Sequence, residues 1–128
     1  MALGIGVDII AIGRMRAILD GPGKQAFLHK TFTAGEAQRA EAHPDSAAYL
    51  AKSFAAKEAI FKCFAIGWDT GVQFNEIDIQ DGEFGEPLAV LSGRFAAIAA
   101  ESKVGQVLVS VSYDGEYAIA IAQLNAGS

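Results

Sequence analysis

Two glycines on one face of an N-terminal strand set the tightest limit on how this chain can pack. Residues 3–10 alternate in the period-two pattern of a β-strand, with large apolar side chains at the odd-numbered positions and Gly4, Gly6, Asp8 and Ile10 at the even-numbered ones. Glycine inside a strand often marks the close approach of a ligand or of another backbone. The sequence therefore predicts that something lies directly against the face on which Asp8 stands.

The second informative segment is a long helix, predicted over residues 46–65 and capped by Asp45 or Ser46. Its helical period puts Glu58 on a face that is otherwise lined by alanine and phenylalanine side chains. A carboxylate on such a face is partly desolvated, which is costly unless a cation or hydrogen bonds compensate. Lys62, one turn later, can reach the same place. Glu58 is therefore held either by a salt pair or by a metal.

The remaining patterns predict an α+β domain. Helices are expected at 14–19, 33–42 and 92–103, and strands at 74–80, 88–91, 106–113 and 117–124. The resulting order, β-α-α-α-β-β-α-β-β, favours a mainly antiparallel sheet packed on the long helix. A length of 128 residues fits a single domain over 1–128.

Composition argues against several classes of function. The formal net charge of −5 disfavours nucleic acid as a partner. No apolar run approaches the ~18 residues that span a membrane and no signal peptide opens the chain, so we expect a cytoplasmic protein with no membrane partner. Cys63 is the one cysteine, which rules out an intrachain disulfide and fits a reducing compartment. Basic residues gather in the first 62 positions, so an anionic ligand would bind there.

Asp8 and Glu58 are the two acids that the patterns place on faces turned away from solvent. Two hard oxygen ligands from separate elements, with room left for water or phosphate oxygens, suit Mg²⁺. The residues alone leave another interpretation open. Asp8 would then be an acid at an exposed sheet edge, and Glu58 would form an ordinary helical ion pair with Lys62.

Two separated motifs carry a family resemblance. Gly4-x-Gly6-x-Asp8 followed by Arg14, and Phe54-x-x-Lys57-Glu58-Ala59-x-x-Lys62, resemble the signature pair of the 4′-phosphopantetheinyl transferases. The short chain is similar to the holo-[acyl-carrier-protein] synthase type of that family. Further similar elements extend the resemblance over nearly the full chain; they are Phe32-Thr33-x-x-Glu36, Gly85-x-Pro87 and the segment from Ser110 to Ala118.

The resemblance implies an α+β subunit with the 4′-phosphopantetheinyl transferase fold, assembled as a homotrimer with active sites between subunits. A chain with 52% hydrophobic residues is compatible with apolar subunit interfaces. The implied reaction moves the phosphopantetheine arm of coenzyme A onto a serine of an acyl carrier protein and releases 3′,5′-ADP. Fatty acid or polyketide synthesis is the implied setting.

The resemblance also implies roles for individual residues. Asp8 and Glu58 would hold Mg²⁺, and Lys62 would neutralise charge on the phosphates of coenzyme A. Glu58, directly or through a bound water, would take the proton of the carrier serine, which makes Asp8, Glu58 and Lys62 the expected catalytic set. Further contacts to coenzyme A are expected from Lys57, Gly85, Pro87 and Tyr113. The carrier protein would meet a basic surface formed by Arg14, Arg16 and Lys24.

Departures from the family pattern support an alternative. Relatives usually have a basic residue where this chain has Ser53, and often a histidine where it has Tyr113; Tyr113 can donate one hydrogen bond but carries no positive charge near neutral pH. The alternative is a homologue that binds coenzyme A or a carrier protein without turnover. A third hypothesis is a structural domain with a salt-paired Glu58. Trp68 either lines a coenzyme A groove or covers the core.

Overall fold

The computed structural model describes residues 2–127, and their elements follow the α+β order expected from the sequence, with one additional helix after the first. A first strand and four helices open the chain: β1 (Ala2–Ala11), α1 (Ile12–Leu19), α2 (Lys24–Thr31), α3 (Ala34–Ala42) and α4 (Ser46–Phe64). Two short 3₁₀ turns follow at Trp68–Thr70 and Phe74–Glu76. The remaining elements are β2 (Ile77–Asp81), β3 (Pro87–Leu91), α5 (Gly93–Glu101), β4 (Val104–Asp114) and β5 (Tyr117–Ala126).

The strands form two antiparallel sheets, which confirms the mainly antiparallel architecture. The larger sheet has the order β1-β5-β4, and β2 and β3 form a separate two-stranded ribbon. In the larger sheet Asp8 lies opposite Ala120. Ala118, Ala120 and Ala122 of β5 are buried in the same core as the alanines of α4, so small side chains fill the layer between sheet and helix.

The close approach predicted at Gly4 and Gly6 is made by a backbone. A Cβ atom added to Gly6 would overlap the carbonyl oxygen of Ala59, and one added to Gly4 would overlap that of Cys63. Both carbonyls belong to the last turns of α4. The two glycines therefore let α4 lie directly on β1, which brings the Asp8 end of the strand next to the Glu58 end of the helix.

Capping interactions set the limits of the helices around this layer. The Asp45 side chain accepts a hydrogen bond from the backbone N–H of Ala48 at 3.2 Å, so Asp45 caps α4. In α3 both halves of the predicted capping box between Thr33 and Glu36 are present. The helix α4 ends at Ala65, which adopts the left-handed conformation.

Three local predictions need correction. The helix α2 was not expected; it is short, and its N-cap residue Gly23 offers no side-chain cap. Residues 74–76 form a 3₁₀ turn rather than the start of β2, because Gln73 and Glu76 cap each other across it. Ser92 precedes α5, but its hydroxyl donates to the carbonyl of Glu76 at 3.2 Å instead of capping the helix.

One face of the larger sheet carries no covering element from the described chain. The odd-numbered side chains of β1 point away from α4, and Ile5 is 65% exposed. Leu108 of β4 and Ile121 of β5 are exposed as well. None of the helices among residues 2–127 combines the length and apolar character required to cross a bilayer.

Candidate active site

Asp8, Glu58 and Lys62 come together where β1 meets α4. The ammonium Nζ of Lys62 donates to Asp8 Oδ1 at 3.0 Å and to the carbonyl oxygen of Val7 at 2.9 Å. The salt partner of Lys62 is therefore Asp8, whose side chain is 17% exposed. Within residues 2–127 the carboxylate of Glu58 has no hydrogen bond or ion pair, so the Glu58–Lys62 pair of the alternative interpretation does not form.

The environment of Glu58 disfavours its charge. Burial raises the pKa of Glu58, and the nearby negative charge of Asp8 raises it further. The positive charges of Lys62 and Arg14 act in the opposite direction but do not cancel the increase in pKa. Two carboxylates thus lie close enough to repel each other in a partly desolvated place.

This arrangement fits a hard divalent cation. Among the described residues there is no group of three or more His, Cys, Asp and Glu side chains that could hold a metal. Asp8 and Glu58 would therefore supply two carboxylate ligands and leave the other positions to water or to the oxygens of a substrate. That division is typical of Mg²⁺ sites that bind phosphorylated substrates.

Glu58 also lies on the wall of a cavity of about 520 Å³ between α2, α4 and the segment that follows α4. The lining is mainly aromatic and apolar: besides Glu58 it consists of Phe27, Lys30, Thr31, Phe54, Trp68, Val72, Gln73 and Phe74. Trp68 stacks on Phe61 with ring centroids 4.2 Å apart, and it is still 55% exposed. It thus lines the cavity and also covers an aromatic part of the core.

Lys57 does not belong to this site, which corrects the expectation that it contacts coenzyme A. Lys57 lies on a different face of α4 from Glu58, because adjacent residues of a helix are rotated by about 100° about its axis. Its side chain is 0% exposed, and Nζ lies 2.7 Å from Glu36 Oε1, also 0% exposed. A fully buried ammonium that is already paired cannot reach a phosphate in solvent.

Gly85, Pro87 and Tyr113 lie apart from Asp8 and Glu58 within one chain. Gly85, at φ 80°, belongs to the tight turn between β2 and β3, and Pro87 begins β3. The hydroxyl of Tyr113 donates to the carbonyl of Ala48 at 3.1 Å, near the N-terminus of α4. Ala48 and Glu58 are ten residues apart, or about 15 Å along the helix axis.

The three basic residues expected to face the carrier protein have different surroundings. Arg14 is exposed at the start of α1 and acts electrostatically on Glu58. Arg16 pairs with Asp45 at 3.3 Å. Lys24 is exposed beside Asp20 and Glu41 on the rim of a different groove. Only Arg14 combines exposure with a position next to the candidate site.

Residues of α2 are the main part of the site that the sequence did not reveal. Phe27, Lys30 and Thr31 line the cavity, but the helix that carries them was not predicted. The available signal was Phe27 and Thr31 spaced one helical turn apart after the Gly21-Pro22-Gly23 break.

Comparison with known proteins identifies the family of this chain. The family model described as the 4′-phosphopantetheinyl transferase superfamily matches residues 4–122. The chain belongs to this family. The resemblance inferred from the two motifs is thereby confirmed, and the protein is a transferase.

Individual relatives cover almost the whole chain. The holo-[acyl-carrier-protein] synthase of Clostridium acetobutylicum is 40% identical over 124 residues, which is 97% of this chain and 98% of the relative. The crystal structure of the Neisseria meningitidis holo-[acyl-carrier-protein] synthase matches with a TM-score of 0.88 and 29% identity, covering 98% of this chain and 99% of that one. A coenzyme A complex of the Chronobacterium ammoniagenes synthase matches with a TM-score of 0.82 and 30% identity, covering 98% of each chain.

Proposed function

We propose that this protein is a Mg²⁺-dependent holo-[acyl-carrier-protein] synthase that moves 4′-phosphopantetheine from coenzyme A to a serine of an apo acyl carrier protein. The observation that carries the proposal is the placement of Glu58, unpaired among the described residues, between Asp8 and an apolar cavity of about 520 Å³. The complex of a 30% identical relative with coenzyme A supports the choice of donor.

In the proposed reaction the carrier serine oxygen forms a bond to the phosphorus that bears the pantetheine arm. The bond from that phosphorus to the oxygen of the leaving 3′,5′-ADP breaks. Glu58 accepts the serine proton, directly or through a water. Such transfers depend mainly on positioning and on neutralising phosphate charge, because the protein takes little part in covalent chemistry.

Asp8 and Glu58 are the residues that would hold Mg²⁺, and the bound ion would supply charge neutralisation on the phosphates. Lys62 contributes a second positive charge from the chain itself. It already lies 3.0 Å from Asp8 and its side chain is 51% exposed, so it can turn towards a phosphate without leaving a buried position.

Arg14 is the residue that we propose for contact with the carrier protein, because it is exposed and next to Glu58. Arg16 and Lys24 would contribute less, since nearby acids offset their charge. Electrostatic attraction of this kind accelerates encounter more than it strengthens the final complex.

We further propose a single catalytic domain that assembles as a homotrimer in the cytoplasm, where Cys63 stays reduced. An exposed apolar sheet face supports assembly, since contiguous apolar patches on soluble proteins usually mark contact surfaces. This face consists of Leu3, Ile5, Val7, Ile9, Leu108 and Ile121. In a trimer Gly85, Pro87 and Tyr113 would contribute to the site of a neighbouring subunit.

An intact-mass assay tests the proposed function. Purified protein, coenzyme A, Mg²⁺ and an apo acyl carrier protein should yield a carrier heavier by one phosphopantetheine, and a chelator should abolish the increase in mass. No increase with several apo carrier proteins would refute the proposal. Light scattering at several concentrations would test the trimer separately.

A second candidate is a homologue that binds coenzyme A without turnover. Ser53 favours it, because the side chain is 0% exposed and its hydroxyl has no partner among the described residues, whereas the family resemblance leads us to expect a basic residue there. Binding of coenzyme A in calorimetry without release of 3′,5′-ADP in the presence of an apo carrier would select this candidate.

A further inference from the structure

The motif residue Lys57 remains without a role once it is separated from the site. Its ammonium contacts three acceptors, which are Glu36 Oε1 at 2.7 Å, the carbonyl of Phe74 at 2.9 Å and the carbonyl of Ile77. An ammonium has three N–H donors, so all three are satisfied. Lys57 thus joins α3, α4 and the 3₁₀ turn at Phe74–Glu76 at one buried point.

Glu36 is equally committed. Its Oε1 accepts from the backbone N–H of Thr33 at 2.9 Å, and its Oε2 accepts from the backbone N–H of Ile79 at 2.7 Å. The same side chain therefore caps α3, orients β2 and pairs with Lys57. A side chain with this many directed bonds cannot shift without breaking several of them.

The bonds from Lys57 reach the two ends of the 3₁₀ turn at Phe74–Glu76, whose first residue lines the cavity. Phe74 and Ile77 flank the 3₁₀ turn, and the Phe74 side chain lines the cavity beside Glu58. The Phe74 ring packs against Phe54 at 5.9 Å and against Trp68 at 5.0 Å between ring centroids. Lys57 therefore holds the backbone that places the Phe74 ring against these two aromatic side chains.

Stability is a weak reason to bury such a pair. Two charges lose hydration on burial, and apolar side chains of similar volume often stabilise a core equally well. Apolar contacts, however, do not fix a backbone segment in one direction, whereas the two directed hydrogen bonds from Lys57 to the carbonyls of Phe74 and Ile77 do.

We propose that the buried Lys57–Glu36 pair is a positioning element, which holds the wall at Phe74 at a set distance from Glu58 and so determines the affinity for the arm of coenzyme A. This inference rests on the proposed function for the identity of the ligand. Lys57 acts through Phe74 and touches no substrate, so it is a positioning residue.

The test compares wild-type protein with the double variant E36Q/K57M. Glutamine retains one capping interaction of Glu36, and methionine replaces the lysine stem, so neither charge is left buried alone. K52M is the matched control, because Lys52 also lies on α4 and pairs with an acid, Asp81 at 3.3 Å, outside the cavity. The single variant K57M is measured too, but it leaves Glu36 buried and unpaired.

Two readouts separate positioning from stability. In E36Q/K57M we expect calorimetry to show an affinity for coenzyme A about tenfold weaker than in the wild type. The KM for coenzyme A should rise by about the same factor, with kcat changed less than about twofold. Trp68, the single tryptophan, reports the cavity wall without any ligand. We expect acrylamide to quench its fluorescence about twofold more strongly in the double variant, because a looser wall exposes the ring.

K52M should match the wild type in both readouts. A folded E36Q/K57M protein with wild-type affinity, or with wild-type quenching of Trp68, would overturn the inference and leave the pair a plain stabilising contact. If the wild-type protein itself does not bind coenzyme A, the proposed function fails, and the quenching of Trp68 alone decides whether the pair positions the wall.

Discussion

Lys57 and Glu58 are neighbours in sequence, but the helix α4 directs their side chains into contrasting environments. Lys57 enters a sealed polar network in which every donor is used, together with Glu36 at 2.7 Å. Glu58 faces a cavity beside Asp8, and its carboxylate has no hydrogen bond or ion pair among the described residues. A satisfied buried charge stabilises geometry, whereas an unsatisfied carboxylate is available for chemistry. A rotation of about 100° between adjacent helical residues thus divides the motif into a positioning part and a reactive part.

The largest expected effect is on turnover, when Asp8 or Glu58 beside the cavity is changed. D8N and E58Q should each reduce transfer of phosphopantetheine on the order of 10³-fold, because in the proposed mechanism both residues supply a negative ligand to Mg²⁺ and Glu58 also accepts the serine proton. Mass spectrometry of the carrier protein after timed incubation gives the rate. E101Q is the control, since Glu101 is an exposed acid on α5. Near-wild-type turnover in E58Q would place the base elsewhere and erase the contrast with Lys57.

The buried Lys57–Glu36 pair should contribute more to stability than the half-exposed contact of Lys62 with Asp8 does. K57M leaves the Glu36 charge buried and should lower the free energy of unfolding by about 3–5 kcal/mol. K62M removes a half-exposed partner of Asp8 and should change it by at most about 1 kcal/mol. Urea denaturation of both variants measures the difference. Equal losses would mean that burial does not distinguish the two lysines of the motif.

A substitution at Gly6 tests the close contact between β1 and α4 that brings Asp8 and Glu58 together. G6A should destabilise the protein by about 1–3 kcal/mol, because the added methyl overlaps the carbonyl of Ala59 and pushes α4 from β1. G13A is the matched control in α1, where an added Cβ meets nothing within 4 Å. It should be neutral or stabilise by about 0.4–1 kcal/mol. A tolerant Gly6 would show that the helix and strand have room to spare.

The smallest expected effect is an opposite pH dependence of stability at Glu58 and at Asp78, a partly buried residue that lies between Ile77 and Ile79 in β2. Burial alone would raise the pKa of Asp78, but hydrogen bonds from Thr33, Gln80 and Arg39 outweigh it and hold the pKa below 3.8. The stabilising contribution of Asp78 is therefore present above pH 3.8 and is lost as the pH falls through its folded pKa. The pKa of Glu58 is raised above 4.5, so its contribution is present below that value and is lost as the pH rises through the folded pKa.

Urea midpoints of the wild type, D78N and E58Q between about pH 3 and 7 measure these contributions. D78N should reduce the loss of stability at acid pH, and E58Q should raise stability near neutral pH. Each change should be less than about 1 kcal/mol, because both groups are partly exposed. A destabilised E58Q at neutral pH would mean that Glu58 has a stabilising partner after all.

Local patterns predicted most of the elements that frame the site. The glycines of β1, the Asp45 cap of α4 and the capping box of α3 each act over a few residues, so the sequence displays them directly. The helix α2 lacked such signals, since Gly23 provides no side-chain cap. Its residues become recognisable only when the cavity that they line is seen.

The sequence by itself determined the family, the α+β order and the three residues Asp8, Glu58 and Lys62, because motif spacing and periodicity are written along the chain. Only the tertiary structure decided how the charges pair. Lys62 joins Asp8 from β1, and Lys57 joins Glu36 from α3, although the helix alone allows a Glu58–Lys62 pair. Pairing depends on burial and on contacts between distant elements, and neither can be read from positions along one helix.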